Sequence, residues 1–167
     1  AASLIILGIA VVQLIAGGSA ATLQLPIGLP WIGANFRLDA LAALFLAVVD
    51  LGAAGASLFA LGYGRHEQSP ARVLPFYPAF LGGMNLVILA DDAFTFLVSW
   101  EFMSLSSWAL VMAHHENADN RRAGYVYIMM AGFGTLALLL AFGLLAGPNG
   151  NYTFASMADV VRADWAP

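Results

Sequence analysis

Residues 91–112 read DDAFTFLVSWEFMSLSSWALVM: an aspartate pair, then twenty residues whose only charged side chain is Glu101. A helix of about 20 mostly apolar residues is long enough to cross the hydrocarbon core of a bilayer. Segments of the same kind occupy residues 3–19, 38–63, 74–90 and 123–146. The sequence therefore predicts an all-α, polytopic transmembrane helix bundle of about five spans, with 93–112 as the fourth.

The composition supports a membrane protein and excludes several other classes. Hydrophobic residues make up 61% of the 167 residues and charged residues 10%, against roughly 25% charged in an average soluble domain. The chain has no lysine and a net charge of −4, which argues against nucleic-acid binding. It has no cysteine, so disulfides, thiolate metal sites and thiol nucleophiles are excluded together.

The ends and connections indicate a piece of a larger membrane subunit. We read residues 1–167 as a single membrane domain, a fragment of a longer chain, with 151–167 as a mildly amphipathic interfacial tail. Residues 3–19 also have the length of a signal-peptide core, but no positively charged region precedes them. Residues 25–35 are rich in proline and glycine and predict an ordered external loop.

The arginines predict an orientation. Four of the six lie in the connections at 64–73 and 113–122, which share one side of a bundle of five spans, and two lie on the other side. The excess of positive charge favours the cytoplasm for the first group. The chain is thus expected to be a multi-pass protein of the inner (plasma) membrane.

Glu101 is the strongest candidate for function because it lies near the centre of a span. An ionised Asp at that depth costs about 2.5–3.5 kcal/mol on insertion scales, and we expect Glu to be similar. At 100° per residue Ser104 lies on nearly the same helix face and Ser107 beside it. Hydroxyls beside a carboxylate can pass a proton. The alternative is that Glu101 forms a hydrogen bond to a neighbouring helix and has only a structural role.

Three further residues are weaker candidates for proton transfer. Asp50 lies midway along the second span, but its helix face carries small residues that favour helix packing. His114 and His115 follow the fourth span and are interpreted first as a solvated pair, with proton entry as the alternative. A carboxylate dyad of Asp50 and Glu101 in an intramembrane enzyme is a third possibility, and it requires the two to lie a few ångströms apart.

Several strings together resemble the antiporter-like, proton-conducting membrane subunits of complex I, multisubunit cation/proton antiporters and membrane-bound hydrogenases. They are FRLDAL at 36–41, LGY at 61–63, DDAFTFLV at 91–98 and, most specifically, WEFMSLSSW at 100–108. The resemblance covers about residues 36–146. Hydrogenase-4 component B and formate hydrogenlyase subunit 3 are the most similar branch.

The resemblance implies a function and a site. Glu101 matches the family's intramembrane glutamate, which pairs with a lysine on a later helix while protons move. We therefore expect a proton-translocating subunit of an oxidoreductase complex, not itself catalytic and with no cofactor of its own. Iron-sulfur, nickel-iron or flavin centres are expected in partner subunits, both membrane and peripheral, and the ion is a proton or sodium. The chain lacks the lysine, and Asp50 matches no family acid. The rivals are an antiporter subunit without redox partners and a structural membrane scaffold.

Overall fold

A computed structural model describes residues 2–30, 32–63, 70–147 and 150–164. Residues 64–69 of the first arginine-bearing loop and 165–167 of the tail lie outside the described residues. The elements are α1 (Ala2–Ala16), β1 (Ala21–Leu29), β2 (Gly33–Leu38), α2 (Ala40–Tyr63), α3 (Pro70–Val73), α4 (Phe76–Leu89), α5 (Ala93–Val111), α6 (Ala118–Leu145) and α7 (Phe154–Asp164).

The expected all-α polytopic bundle is confirmed. Four helical stretches of the described chain are long and apolar enough to cross a membrane, and α1 is a shorter apolar helix. Two boundaries differ from expectation. The third span begins with the short helix α3 and a turn before α4, because Pro75 and Pro78 fit only a helix start. The fifth begins at Ala118 rather than 123, because Asn117 caps it by accepting a hydrogen bond from the backbone N–H of Asp119 at 2.9 Å.

The prediction of a loop at 25–35 is wrong in part, because most of these residues belong to a β-hairpin. Strands β1 and β2 pair antiparallel, with Ala21 opposite Leu38 and Leu25 opposite Ala34. A two-stranded sheet has only edge strands, so Pro26 does not interrupt an inner ladder. Gly33 has a φ of +73°, and a Cβ there would lie 2.7 Å from the carbonyl oxygen of Leu25, so the turn requires glycine.

Asp92 joins three segments at the hairpin end of the bundle. It is fully buried and caps α5 by accepting from the backbone N–H of Thr95 at 2.8 Å. Its other oxygen accepts from the Thr95 hydroxyl at 2.6 Å and from the backbone N–H of Asn35 at 2.9 Å. Asp92 also forms a β-bridge with Thr153, just before α7. The hairpin, the start of α5 and the start of α7 are therefore held together.

The close packing of α4 on α5 depends on one glycine. A Cβ at Gly83 would lie 2.8 Å from the Cα of Met103, which is shorter than carbon atoms in proteins normally approach. The absence of a side chain lets the two backbones pack together. This contact holds α5, and with it Glu101, against the rest of the bundle.

The opposite end of the bundle is closed by an ion pair between connections. The guanidinium of Arg72, on α3, contacts the carboxylate of Glu116 and donates to the carbonyl of Ala113 at 3.4 Å. The connections before α4 and after α5 therefore lie at the same end, as five alternating spans require.

Candidate functional site: carboxylates within two apolar helices

Glu101 lies half-buried on α5, where that helix packs against α6. Its Oε1 accepts a hydrogen bond from the hydroxyl of Thr135, on α6. Thr135 lies far along the chain from Glu101, so the packing of the two helices creates this pair. The carboxyl group therefore has a polar partner on the neighbouring helix.

The hydroxyl of Thr135 can serve either protonation state of Glu101. It has one proton, and its oxygen lies 3.2 Å from the carbonyl oxygen of Ala131 one turn earlier. When Glu101 is ionised, the hydroxyl donates to the carboxylate. When Glu101 is protonated, the hydroxyl can accept from the carboxylic acid and donate to Ala131 instead. The arrangement suits a group that changes its proton content.

The serines near Glu101 do not share one environment. Ser104 is buried and Ser107 half-buried. The buried Ser106 donates to the carbonyl of Phe102 at 2.8 Å, a bond within its own helix. Proton-transfer roles for Ser104 and Ser107 stay predictions.

Asp50 lies in a second polar contact, between α2 and α4. It is 1% exposed, and its Oδ1 accepts from the side-chain amide of Asn85 at 3.4 Å. Asn85 is also buried. The Oδ2 of Asp50 and the Oδ1 of Asn85 are both buried without a hydrogen-bond partner in the structure. Asp50 therefore makes a polar contact between α2 and α4 in addition to lying on a helix face of small residues.

The two carboxylates bond different partners on different helix pairs. Glu101 bonds Thr135 across α5 and α6, while Asp50 bonds Asn85 across α2 and α4. Among the hydrogen bonds of the described residues, none joins the two acids. This arrangement gives no support to an enzyme that uses them as a dyad.

The histidine pair follows the end of α5, beside a charged contact. His114 and His115 are both exposed, and the Nδ1 of His115 lies 3.2 Å from the carbonyl oxygen of Met112. The adjacent Glu116 is exposed too. The hydrogen bond from the Arg72 guanidinium is the main cause that lowers the pKa of Glu116 to about 2. In the described chain, no group of three His, Cys, Asp or Glu residues is arranged to hold a metal ion.

Sequence reasoning missed both hydrogen-bond partners of the intramembrane acids. Thr135 lies in a run of small and apolar residues on α6, and Asn85 lies near two glycines in the middle of α4. A usable signal was present for Asn85, because an amide in the middle of an apolar span needs a partner. For Thr135 no such signal existed, since a threonine can bond back to its own helix.

The bundle of long apolar helices defines a class of polytopic membrane protein, and comparisons with known proteins narrow that class. The family described as "NADH:quinone oxidoreductase/Mrp antiporter, TM" matches residues 90–166. An uncharacterized protein of Mycobacterium tuberculosis is 34% identical over 138 residues, 81% of this chain and 22% of the relative. Hydrogenase-4 component B of Escherichia coli is 35% identical over 124 residues, 73% of this chain and 18% of the relative.

A solved structure shares the fold. It is the membrane-bound sulfane sulfur reductase, an archaeal respiratory membrane complex, at a TM-score of 0.79 and 24% identity, with 96% of this chain and 33% of that one covered. The chain belongs to the family of antiporter-like membrane subunits and is an integral membrane protein. It spans about a fifth of the length of the curated relatives it matches.

Proposed function

We propose that the chain is part of a membrane subunit that moves protons through the bilayer in a redox-driven complex of the hydrogenase or complex I type. The carrying observation is the Glu101–Thr135 contact: a titratable group inside a span whose partner can bond both of its protonation states. The similarity to hydrogenase-4 component B supports the redox setting.

The mechanism rests on a charge that is formed and removed inside a medium of low dielectric constant. An ionised Glu101 is costly there unless a cation lies near it. In the family this cation is a lysine on a later helix, and it must come from outside these 167 residues, which contain no lysine. When the cation approaches, Glu101 releases its proton to one side; when the cation withdraws, Glu101 takes up another from the opposite side.

Partner subunits supply the electron transfer in this proposal. Iron-sulfur, nickel-iron or flavin centres belong to those subunits, and the chain contributes the proton path through the inner membrane. The end of the bundle marked by Arg72 and Glu116 faces the cytoplasm, because four of the six arginines lie in the connections at that end. His114 and His115 then lie at the cytoplasmic entrance.

The decisive variant is Glu101→Gln in the intact complex. It keeps the shape and the hydrogen bond to Thr135 but removes the titratable proton. We expect normal assembly, retained electron transfer and a sharp loss of proton pumping into sealed vesicles. The matched control is Glu116→Gln, which neutralises an exposed glutamate outside the spans and should leave pumping unchanged. Unchanged pumping in an assembled Glu101→Gln complex would contradict the proposal and favour the scaffold.

A cation/proton antiporter subunit without redox partners is the second candidate. The matched family description includes Mrp antiporters as well as quinone oxidoreductases. Both candidates place the proton on Glu101, so the variant does not separate them. Neighbouring genes for nickel-iron or NADH-oxidising subunits favour the redox complex, while sodium-driven proton exchange in vesicles without any electron donor favours the antiporter.

A further inference from the structure

We propose that Asp50 is a second intramembrane proton-binding site, in which a protonated Asp50 and Asn85 form a closed acid–amide pair between α2 and α4. The site takes a proton as its ligand and is separate from the Glu101–Thr135 contact. It does not depend on the function proposed for Glu101.

Counting donors and acceptors shows that the Asp50–Asn85 pair lacks one hydrogen-bond donor, which a proton on Asp50 would supply. The amide of Asn85 donates one bond, to the Oδ1 of Asp50, at 3.4 Å. This leaves the Oδ2 of Asp50 and the Oδ1 of Asn85, two buried acceptors with no donor. An ionised carboxylate is acceptor-only, so neither atom can satisfy the other. A proton on Oδ2 turns that atom into a donor, and its natural acceptor is the amide oxygen of Asn85.

Burial gives the second reason for a neutral acid. Asp50 is 1% exposed and Asn85 8% exposed, so water does not solvate a charge at this position. A buried carboxylate without a cation is strongly disfavoured relative to its protonated form. Within the described ranges, no arginine or histidine forms an ion pair with Asp50. Binding one proton removes the charge and gives the Oδ2 of Asp50 and the Oδ1 of Asn85 a hydrogen bond with each other.

Among the described residues, the elements that pack most extensively on α2 place no charged group beside Asp50. They are α1, α4 and β2. The described part of α1 has no titratable side chain, α4 brings Tyr77 and β2 brings Arg37. The Tyr77 hydroxyl lies 3.3 Å from that of Ser57 and 3.4 Å from the carbonyl oxygen of Ala53. Arg37 pairs with Asp39 and Asp91 near the start of α2, and Asp39 lies eleven residues before Asp50, roughly 16 Å along the axis.

The test is infrared spectroscopy of the full-length subunit, in its complex, in lipid at neutral pH. A protonated carboxyl group has a C=O stretch above the amide I band, and ¹³C labelling of aspartate shifts that band if the acid is Asp. We expect an aspartate-dependent band that disappears in Asp50→Asn and persists in Glu101→Gln. In Asn85→Leu the band should move to higher frequency, because its C=O group loses the hydrogen bond from the amide.

The outcomes separate the proposal from its rivals. An absent aspartate carboxyl band in the labelled wild type, which needs no variant to fold, overturns the proposal. So does loss of a carboxylate band in Asp50→Asn, which would mean that Asp50 is ionised. Conversion of the carboxyl band to a carboxylate band by added sodium would assign the two oxygens to a cation and also overturn it. Loss of pumping in Glu101→Gln with an intact Asp50 band would leave this inference unaffected.

Discussion

Replacing Gly83 with alanine should loosen the helix contact that supports the Glu101 helix. The new Cβ would lie 2.8 Å from the Cα and 2.9 Å from the Cβ of Met103. Carbon atoms in favourable contact are about 3.5–4.0 Å apart, so α4 and α5 must separate by roughly 0.7 Å. Overpacking of this kind costs about 1–3 kcal/mol.

The adjacent Gly82 provides the matched control. A Cβ there meets nothing within 4 Å, so Gly82→Ala adds only the helix preference of alanine over glycine, about 1 kcal/mol. The same preference applies to Gly83→Ala, so the two alanine variants should differ in free energy of unfolding by the overpacking cost alone, about 1–3 kcal/mol, with Gly83→Ala the less stable. The measurement is unfolding of the purified subunit by a denaturing detergent titrated into a mild one. Equal stability of the two variants would refute the close packing of α4 on α5.

Three further predictions concern residues that hold or surround the site. Thr135→Val removes the hydroxyl that bonds both states of Glu101 and should slow proton pumping in an assembled complex, while Thr135→Ser should retain it; equal rates would contradict a role for the hydroxyl. Asp92→Ala leaves the backbone N–H groups of Thr95 and Asn35 without their acceptor and should destabilise the subunit by about 2–4 kcal/mol, measured by detergent unfolding. A loss under 1 kcal/mol would contradict the role of Asp92 in holding the hairpin to the start of α5. Glu116 has a pKa lowered to about 2 in the folded state, so its contribution to stability should be fully present above its ordinary pKa of 4.5 and lost as the pH falls through 2. Carboxyl NMR titration checks this value, with Arg72→Gln expected to raise the pKa of Glu116; an unchanged titration in that variant would contradict the ion pair.

The membrane helices could be predicted from the sequence because they depend on local properties. Long apolar runs between polar breaks place the helices to within a few residues. Asp39 is an aspartate directly before the second long apolar run, a residue type that favours a helix start, and its Oδ1 accepts from the backbone N–H of Ala42 at 2.8 Å. The position of Glu101 in the fourth span follows from the same counting.

The remaining features depend on contacts between distant parts of the chain. The hairpin was missed because Pro26 and the neighbouring glycines are typical of loops, and the pairing of Ala21 with Leu38 has no local signature. The sequence places Asp50 inside a span, but only packing brings it to Asn85. Local pattern thus predicted which acids lie in long apolar helices, and tertiary structure determined which groups bond them.

The contacts that hold Asp92 at the start of α5 also fix how far along the bundle Glu101 lies. Glu101 follows Asp92 by nine residues, which is about 13.5 Å of helix, close to half of the roughly 30 Å hydrocarbon thickness. Because Asp92 is tied to the hairpin and to the segment before α7, the position of the Glu101 carboxylate along the bundle is fixed relative to that junction. An inserted or deleted residue between the two would shift the acid by about 1.5 Å in depth and turn it by about 100° around the axis. The spacing of nine therefore specifies both how deep Glu101 lies and which helix it faces.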